Sequence, residues 1–120
     1  MKKPFKCLYR QPNNRGGVTQ VSVNAVTRWV SRGFIPKKIR LCGPGNHKSA
    51  IVFLRGEYKG KKAYLRLTGI TWGYGGEGPR ALAYLLKLIG EVPEKAYKYE
   101  IANGNDYVSA EPFNVTIAAS

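Results

Sequence analysis

The 120-residue sequence predicts a small α+β domain, a mixed or mainly antiparallel sheet packed on one buried helix at about residues 79–89 with one or two further short helices. Three observations carry that prediction. An apolar run of strand length, Ala50–Leu54, and an alternation of Ala63, Leu65 and Leu67 with Tyr64, Arg66 and Thr68 flank a turn at Tyr58-Lys-Gly-Lys61. A nearly all-apolar stretch follows Pro79 at helical spacing. Hydrophobic residues make up 43% of the chain and aromatics 12%, enough to bury a core, while the length suits one domain spanning 1–120.

In chain order, residues 1–17 carry Pro4, Pro12, Asn13, Asn14, Gly16 and Gly17 among their bases and read as a basic, flexible arm. Val18–Val23 places Thr19, Val21 and Val23 at period two, a short strand pattern. Asn24 then caps a helix whose stripe is Ala25, Val26, Trp29 and Val30 and whose stop is Gly33. The segment Val26-Thr-Arg-Trp29-Val30-Ser-Arg-Gly33-Phe-Ile35-Pro36 resembles the end of the recognition helix in helix-turn-helix proteins related to phage repressors. That resemblance implies base or phosphate contacts from Asn24, Thr27 and Arg28; the alternative is a core helix anchored by Trp29 with solvated arginines.

Lys37–Leu41 leads into a loop, Cys42-Gly-Pro-Gly-Asn-His47-Lys48, whose glycines and proline break regular structure. Cys42 and His47 supply two potential ligands and no CxxC completes a closed metal site, so the sequence calls for no metal and no cofactor. The hairpin that follows is dressed with Arg55, Lys59, Lys61, Lys62 and Arg66. Its tyrosines, Tyr58 and Tyr64, interleave with these bases as in sheets that stack single-stranded bases. Lysines there are equally the ordinary protection of an edge strand.

Charge is segregated along the chain. Residues 1–60 hold 13 Lys and Arg against one acid, Glu57, whereas residues 61–120 hold 7 bases against 6 acids, and the whole carries +13. Lysine and arginine heads are seldom buried unpaired, so such a stretch must present a strongly positive surface, and phosphates are the usual partner. Arg28, Arg32, Lys37, Lys38, Arg40 and Lys48 are the candidate nucleic-acid contacts. No apolar run approaches the roughly 20 residues of a bilayer span, which reads as a soluble cytoplasmic protein with no membrane partner.

A second candidate site is the strand, glycine loop and helix Leu67–Gly90. Pro79 suits the first helical position, Leu82, Leu85, Leu86 and Ile89 form the buried stripe, and Gly90 closes the helix. Free amides at the helix start, the Arg80 guanidinium and the rings of Trp72 and Tyr74 together offer an anion or nucleotide site, with Gly75, Gly76 and Gly78 permitting close approach. A self-capped structural turn closed by Glu77 is the alternative. Gly73, Gly75 and Gly78 have GxGxxG spacing, but no second βαβ strand with a placed ribose acid follows.

Trp72-Gly-Tyr-Gly-Gly-Glu-Gly-Pro79 and the following helix resemble a family of small uncharacterised bacterial and phage proteins, a domain of unknown function, over residues 53–117. Ala96–Ala102 and Phe113–Ile117 look like that family's second helix and terminal strand. The resemblance implies an α+β domain and a mobile-element setting, and it supplies no activity. From the residues themselves, Pro93 opens a helix over 94–102 and Phe113–Ile117 is a strand returning to the sheet.

The single histidine, the two unactivated cysteines and the unpaired acids point away from an enzyme. The expectation is a non-enzymatic protein that binds nucleic acid through its basic half. The alternative is an anti-defence accessory protein of phage type that sequesters a small (cyclic) nucleotide signal or inhibits a host defence enzyme by direct binding, an acidic host protein being the further partner weighed.

Overall fold

Residues alternate between buried and half-buried along three successive strands, and that period-two pattern sets the architecture. The computed structural model describes residues 5–12, 16–43, 50–71, 77–90, 92 and 113–118, and of 77–79, 113 and 114 the backbone alone. Its elements are β1 (Lys6–Arg10), α1 (Thr19–Ser31), β2 (Ile35–Gly43), β3 (Ile51–Tyr58), β4 (Lys61–Leu67), α2 (Glu77–Leu88) and β5 (Phe113–Ala118). The chain is an α+β protein with a five-stranded mixed sheet in the order β1-β4-β3-β2-β5. β2, β3 and β4 form an antiparallel meander, β5 adds antiparallel to β2, and β1 adds parallel to β4.

The β3–β4 turn is the most local of these features. Lys59 at φ 53° and Gly60 at φ 78° are its two central residues, the left-handed pair that a type I′ hairpin turn requires. It fixes the register, Tyr58 opposite Lys61 and Leu54 opposite Leu65, and so turns Val52, Leu54, Ala63, Leu65 and Leu67 to one face.

Both helices lie on that face. Ala25 and Val26 of α1 and Ala81, Leu82, Leu85 and Leu86 of α2 share one core with Ile39, Leu41, Val52, Leu54, Leu65 and Ile117. The expected stripe of α2 is buried at every position, and Gly90, at φ 94°, follows its end. The helix begins at Glu77, two residues before the expected start, so Pro79 is its third residue and not its first, still within the first turn where a missing N–H leaves no bond unmade. Thr27 Oγ1 and Tyr84 Oη, 3.4 Å apart, link the helices.

The N-terminal third differs from expectation. Residues 6–10, expected in a flexible arm, form the edge strand β1, and the expected strand Val18–Val23 is the first half of α1. Asn24 is therefore an exposed mid-helix residue that accepts a 2.8 Å bond from Gln20 Nε2. The cause is tertiary. Gln11 and Ser22 are fully buried, and the Ser22 hydroxyl donates to Gln11 Oε1 while accepting from the Gly69 amide at 3.0 Å. Gln11 also accepts from the Thr68 amide at 2.9 Å and donates to the Val18 carbonyl at 3.1 Å. This clasp joins the ends of β1 and β4 to the first turn of α1, which has neither a side-chain cap nor an acidic residue of its own.

A helix-turn-helix is excluded, since α1 is preceded by β1 and followed directly by β2. β2 also runs through Cys42 and Gly43, which the sequence placed in a loop. The strand expected at 113–117 is present as β5, and the helix expected over 94–102 lies outside the described residues. Among the described residues no helix is long and apolar enough to cross a membrane.

Candidate nucleic-acid interface

With both helices on one face, the side chains that alternate with the core project from the other. Strand register arranges them in rows across the sheet. One row runs Thr116, Arg40, Phe53, Arg66, Arg10 from β5 to β1, and its neighbour runs Ala118, Lys38, Arg55, Tyr64, Cys7. Lys62, opposite Glu57, begins a third. Among the described residues no helix packs on this face, and helix-free in that sense it carries the cations Arg10, Lys38, Arg40, Arg55, Lys62 and Arg66. Glu57 is the one acidic residue whose side chain is among those described.

At the centre, Phe53–Arg66 and Arg55–Tyr64 are successive cross-strand pairs, so two rings and two guanidinium groups occupy the corners of one small quadrilateral. The rings are the diagonal neighbours, with centroids 5.8 Å apart and planes at 68°. Both are half-buried, held by the pleat with part of each ring open. Nη1 of Arg66 is shielded from solvent and has no hydrogen-bond partner among the described residues. A shielded cationic donor without an acceptor is costly, and an anionic oxygen would relieve it.

Tyr64 hydrogen-bonds the Cys7 side chain, which, ahead of partial burial and the electrostatic influence of Cys7, raises its pKa above the ordinary tyrosine value; Arg10 and Arg66 pull it the other way. The phenol is therefore neutral at physiological pH. Cys7 donates in turn to the Tyr9 carbonyl at 3.5 Å.

Phe5 extends the aromatic patch toward the hairpin. Arg55 lies 5.3 Å and Lys62 5.7 Å from its ring centre. A pocket of about 190 Å³ opens at this corner, bounded by Phe5, Lys37, Lys38, Arg55, Glu57 and Lys62. Around the strand edge a second, of about 170 Å³, is bounded by Lys6, Leu8, Tyr58, Lys59, Lys61 and Lys62. Lys62 belongs to both, so the positive surface continues from the sheet face onto the hairpin end.

The predicted contacts divide between layers. Lys38 and Arg40 stand on the helix-free face, and Lys37 sits at its rim, 3.5 Å from Glu57 in an exposed ion pair. Arg28 and Arg32 belong to the helical layer. Arg32 stacks 5.4 Å from the Trp29 ring centre and Arg28 occupies the last turn of α1, where a cation complements the helix dipole. Arg80 is exposed on α2, also in the helical layer, and Gly78 lies in that helix's first turn. Lys48, Trp72, Tyr74, Gly75 and Gly76 lie outside the described residues. The glycine-loop site therefore has no geometry to weigh.

The sequence reading does not single out Arg10, Phe53 or Cys7, and it places Arg55, Lys62, Tyr64 and Arg66 on the hairpin without assigning them to the candidate contacts. Tyr64 and Arg66 are the off-beat of the Ala63–Leu67 alternation in sequence, whereas Ile51–Leu54 is apolar throughout and only the burial pattern and pairing of β3 put Phe53 and Arg55 off-beat. The on-beat residues are core, so Phe53, Arg55, Tyr64 and Arg66 must share the opposite face. Tyr58, weighed together with Tyr64, is on the on-beat and packs edge-on against Trp29 at 5.5 Å. Among the described residues no three His, Cys, Asp or Glu side chains gather as a metal site. Comparison with family models, curated proteins and solved structures finds no match for the chain.

Proposed function

We propose that this protein binds nucleic acid, without turning it over, across the helix-free face of its sheet. The observation that carries the reading is the concentration there of six cations on adjacent strands around two rings, with one acid at the rim. Each phosphate that these cations neutralise releases counterions.

The test is fluorescence anisotropy with labelled oligonucleotides at about 50 and about 200 mM salt, where several phosphate contacts lower affinity by at least about tenfold. Arg40→Ser with Arg66→Ser weakens binding by about tenfold or more and flattens the salt dependence, whereas Arg28→Ser with Arg32→Ser stays within about twofold. Equal losses from both pairs would assign binding to overall charge and not to the sheet.

A further inference from the structure

We infer that the nucleic acid recognised by this face is single-stranded, with bases stacked on Phe53 and Tyr64 and the backbone running over the surrounding cations; the inference rests on the nucleic-acid reading above. A duplex hides the faces of its bases within the stack and presents phosphates and groove edges. Reading of the duplex major groove by protein uses an element that enters it, a helix or a two-stranded ribbon. The centre of a five-stranded sheet is neither, and a duplex resting on it would meet only the cations. The face has more than cations. Phe53 and Tyr64 are neighbours at its middle, each beside a guanidinium, and a base stacks on an aromatic ring or on an arginine plane alike.

Dimensions agree with this assignment. Arg40 and Arg10 share a row but stand three strand spacings apart, about 14 Å at the usual spacing of 4.7–4.9 Å. Two or three bases are what a sheet platform of that width stacks. Phe53 and Tyr64 hold the first two positions. Phe5, flanked by Arg55 and Lys62 above the 190 Å³ pocket, provides the third. The three rings follow one diagonal toward the hairpin end, with Lys38, Arg40, Arg55 and Lys62 on one side of it and Arg66 and Arg10 on the other. A strand following the diagonal keeps its phosphates within reach of either side.

The deciding experiment compares anisotropy titrations of the full chain with one labelled sequence as single-stranded RNA, single-stranded DNA and the corresponding duplexes, at the same salt. Tighter binding of either single strand than of its duplex, by about tenfold, is expected. Phe53→Leu combined with Tyr64→Leu, which keeps apolar bulk in the pleat, removes that preference and leaves duplex binding within about twofold. Tyr64→Phe, which keeps the ring and removes only the hydroxyl, retains single-strand affinity. If single strands and duplexes bind alike and the leucine pair changes neither, while Arg40→Ser with Arg66→Ser weakens both, the single-strand inference is overturned and the nucleic-acid reading stands. Absence of binding to all four probes at about 50 mM salt overturns both. Circular dichroism and the urea midpoint of each variant separate loss of the platform from loss of the fold.

Discussion

At the residue scale, Gln11, Ser22 and Gly69 decide more of the structure than any apolar side chain of comparable size. Ser22 and Gln11 satisfy each other and two backbone amides in a region closed to water, so removing a partner there leaves a donor or acceptor unpaired. Gly69 is required because a Cβ on it would meet the Val18 carbonyl and lie 2.7 Å from Ser22 Oγ. Gly69→Ala is expected to lower unfolding free energy by about 2 kcal/mol or more, through displacement of the clasp and the start of α1. Urea denaturation followed by circular dichroism measures it, and an unchanged midpoint would show that the contact relaxes freely. None of this is visible in sequence. Gln11 looks like a surface amide in a loop, and Ser22 like the polar off-beat of a strand.

At the element scale, local signals and outcomes agree where the determining contacts lie close in the chain. The hairpin is legible because its turn and both alternations fall within 51–67, and α2 is legible because its stripe recurs at helical spacing over several turns. Residues 18–23 were misread because period two and period 3.6 are indistinguishable over six residues, and the contact that separates them comes from Gln11 and Gly69. β1 was missed for a related reason. A parallel edge strand pairs with a partner more than 50 residues away, and its own residues, Lys6 to Arg10, carry little apolar pattern. The hairpin supplies a prediction of the opposite sign from Gly69. Lys59 occupies a left-handed position that asparagine tolerates better, so Lys59→Asn raises stability by about 0.5 kcal/mol and lifts the thermal midpoint. Because Lys59 is at the hairpin end, away from the sheet centre, this variant keeps single-strand affinity within about twofold; a larger loss would move the binding surface to the strand edge.

At the scale of the whole molecule, +13 on 120 residues is a load that the folded state bears by mutual repulsion. Clustering six of those cations on one sheet face sharpens it, since rows of like charge on neighbouring strands repel across short distances. Salt screens that repulsion within roughly 10 Å at 0.1 M. Raising sodium chloride from about 50 to about 500 mM is therefore expected to raise the thermal midpoint by a few degrees, as seen by differential scanning fluorimetry, while weakening nucleic-acid binding. A midpoint that falls with salt would mean that attractive pairs, of which Lys37–Glu57 is one, outweigh the repulsion. A bound single strand should raise the midpoint at low salt and lose that effect at high salt.

Composition, charge and short-range periodicity were enough to establish an α+β domain, its central hairpin, the buried helix after Pro79, the closing strand and a strongly basic chain. These depend on what each residue is and on neighbours a few positions away. The assignment of cations to layers was not available in the same way: Lys38 and Arg40 share a face with Phe53, Tyr64 and Arg66, while Arg28 and Arg32, as basic and nearly as close in sequence, belong to the helical layer. That division follows from strand order and from both helices packing on the same side of the sheet. Both are fixed by contacts between residues tens of positions apart, which no local pattern encodes.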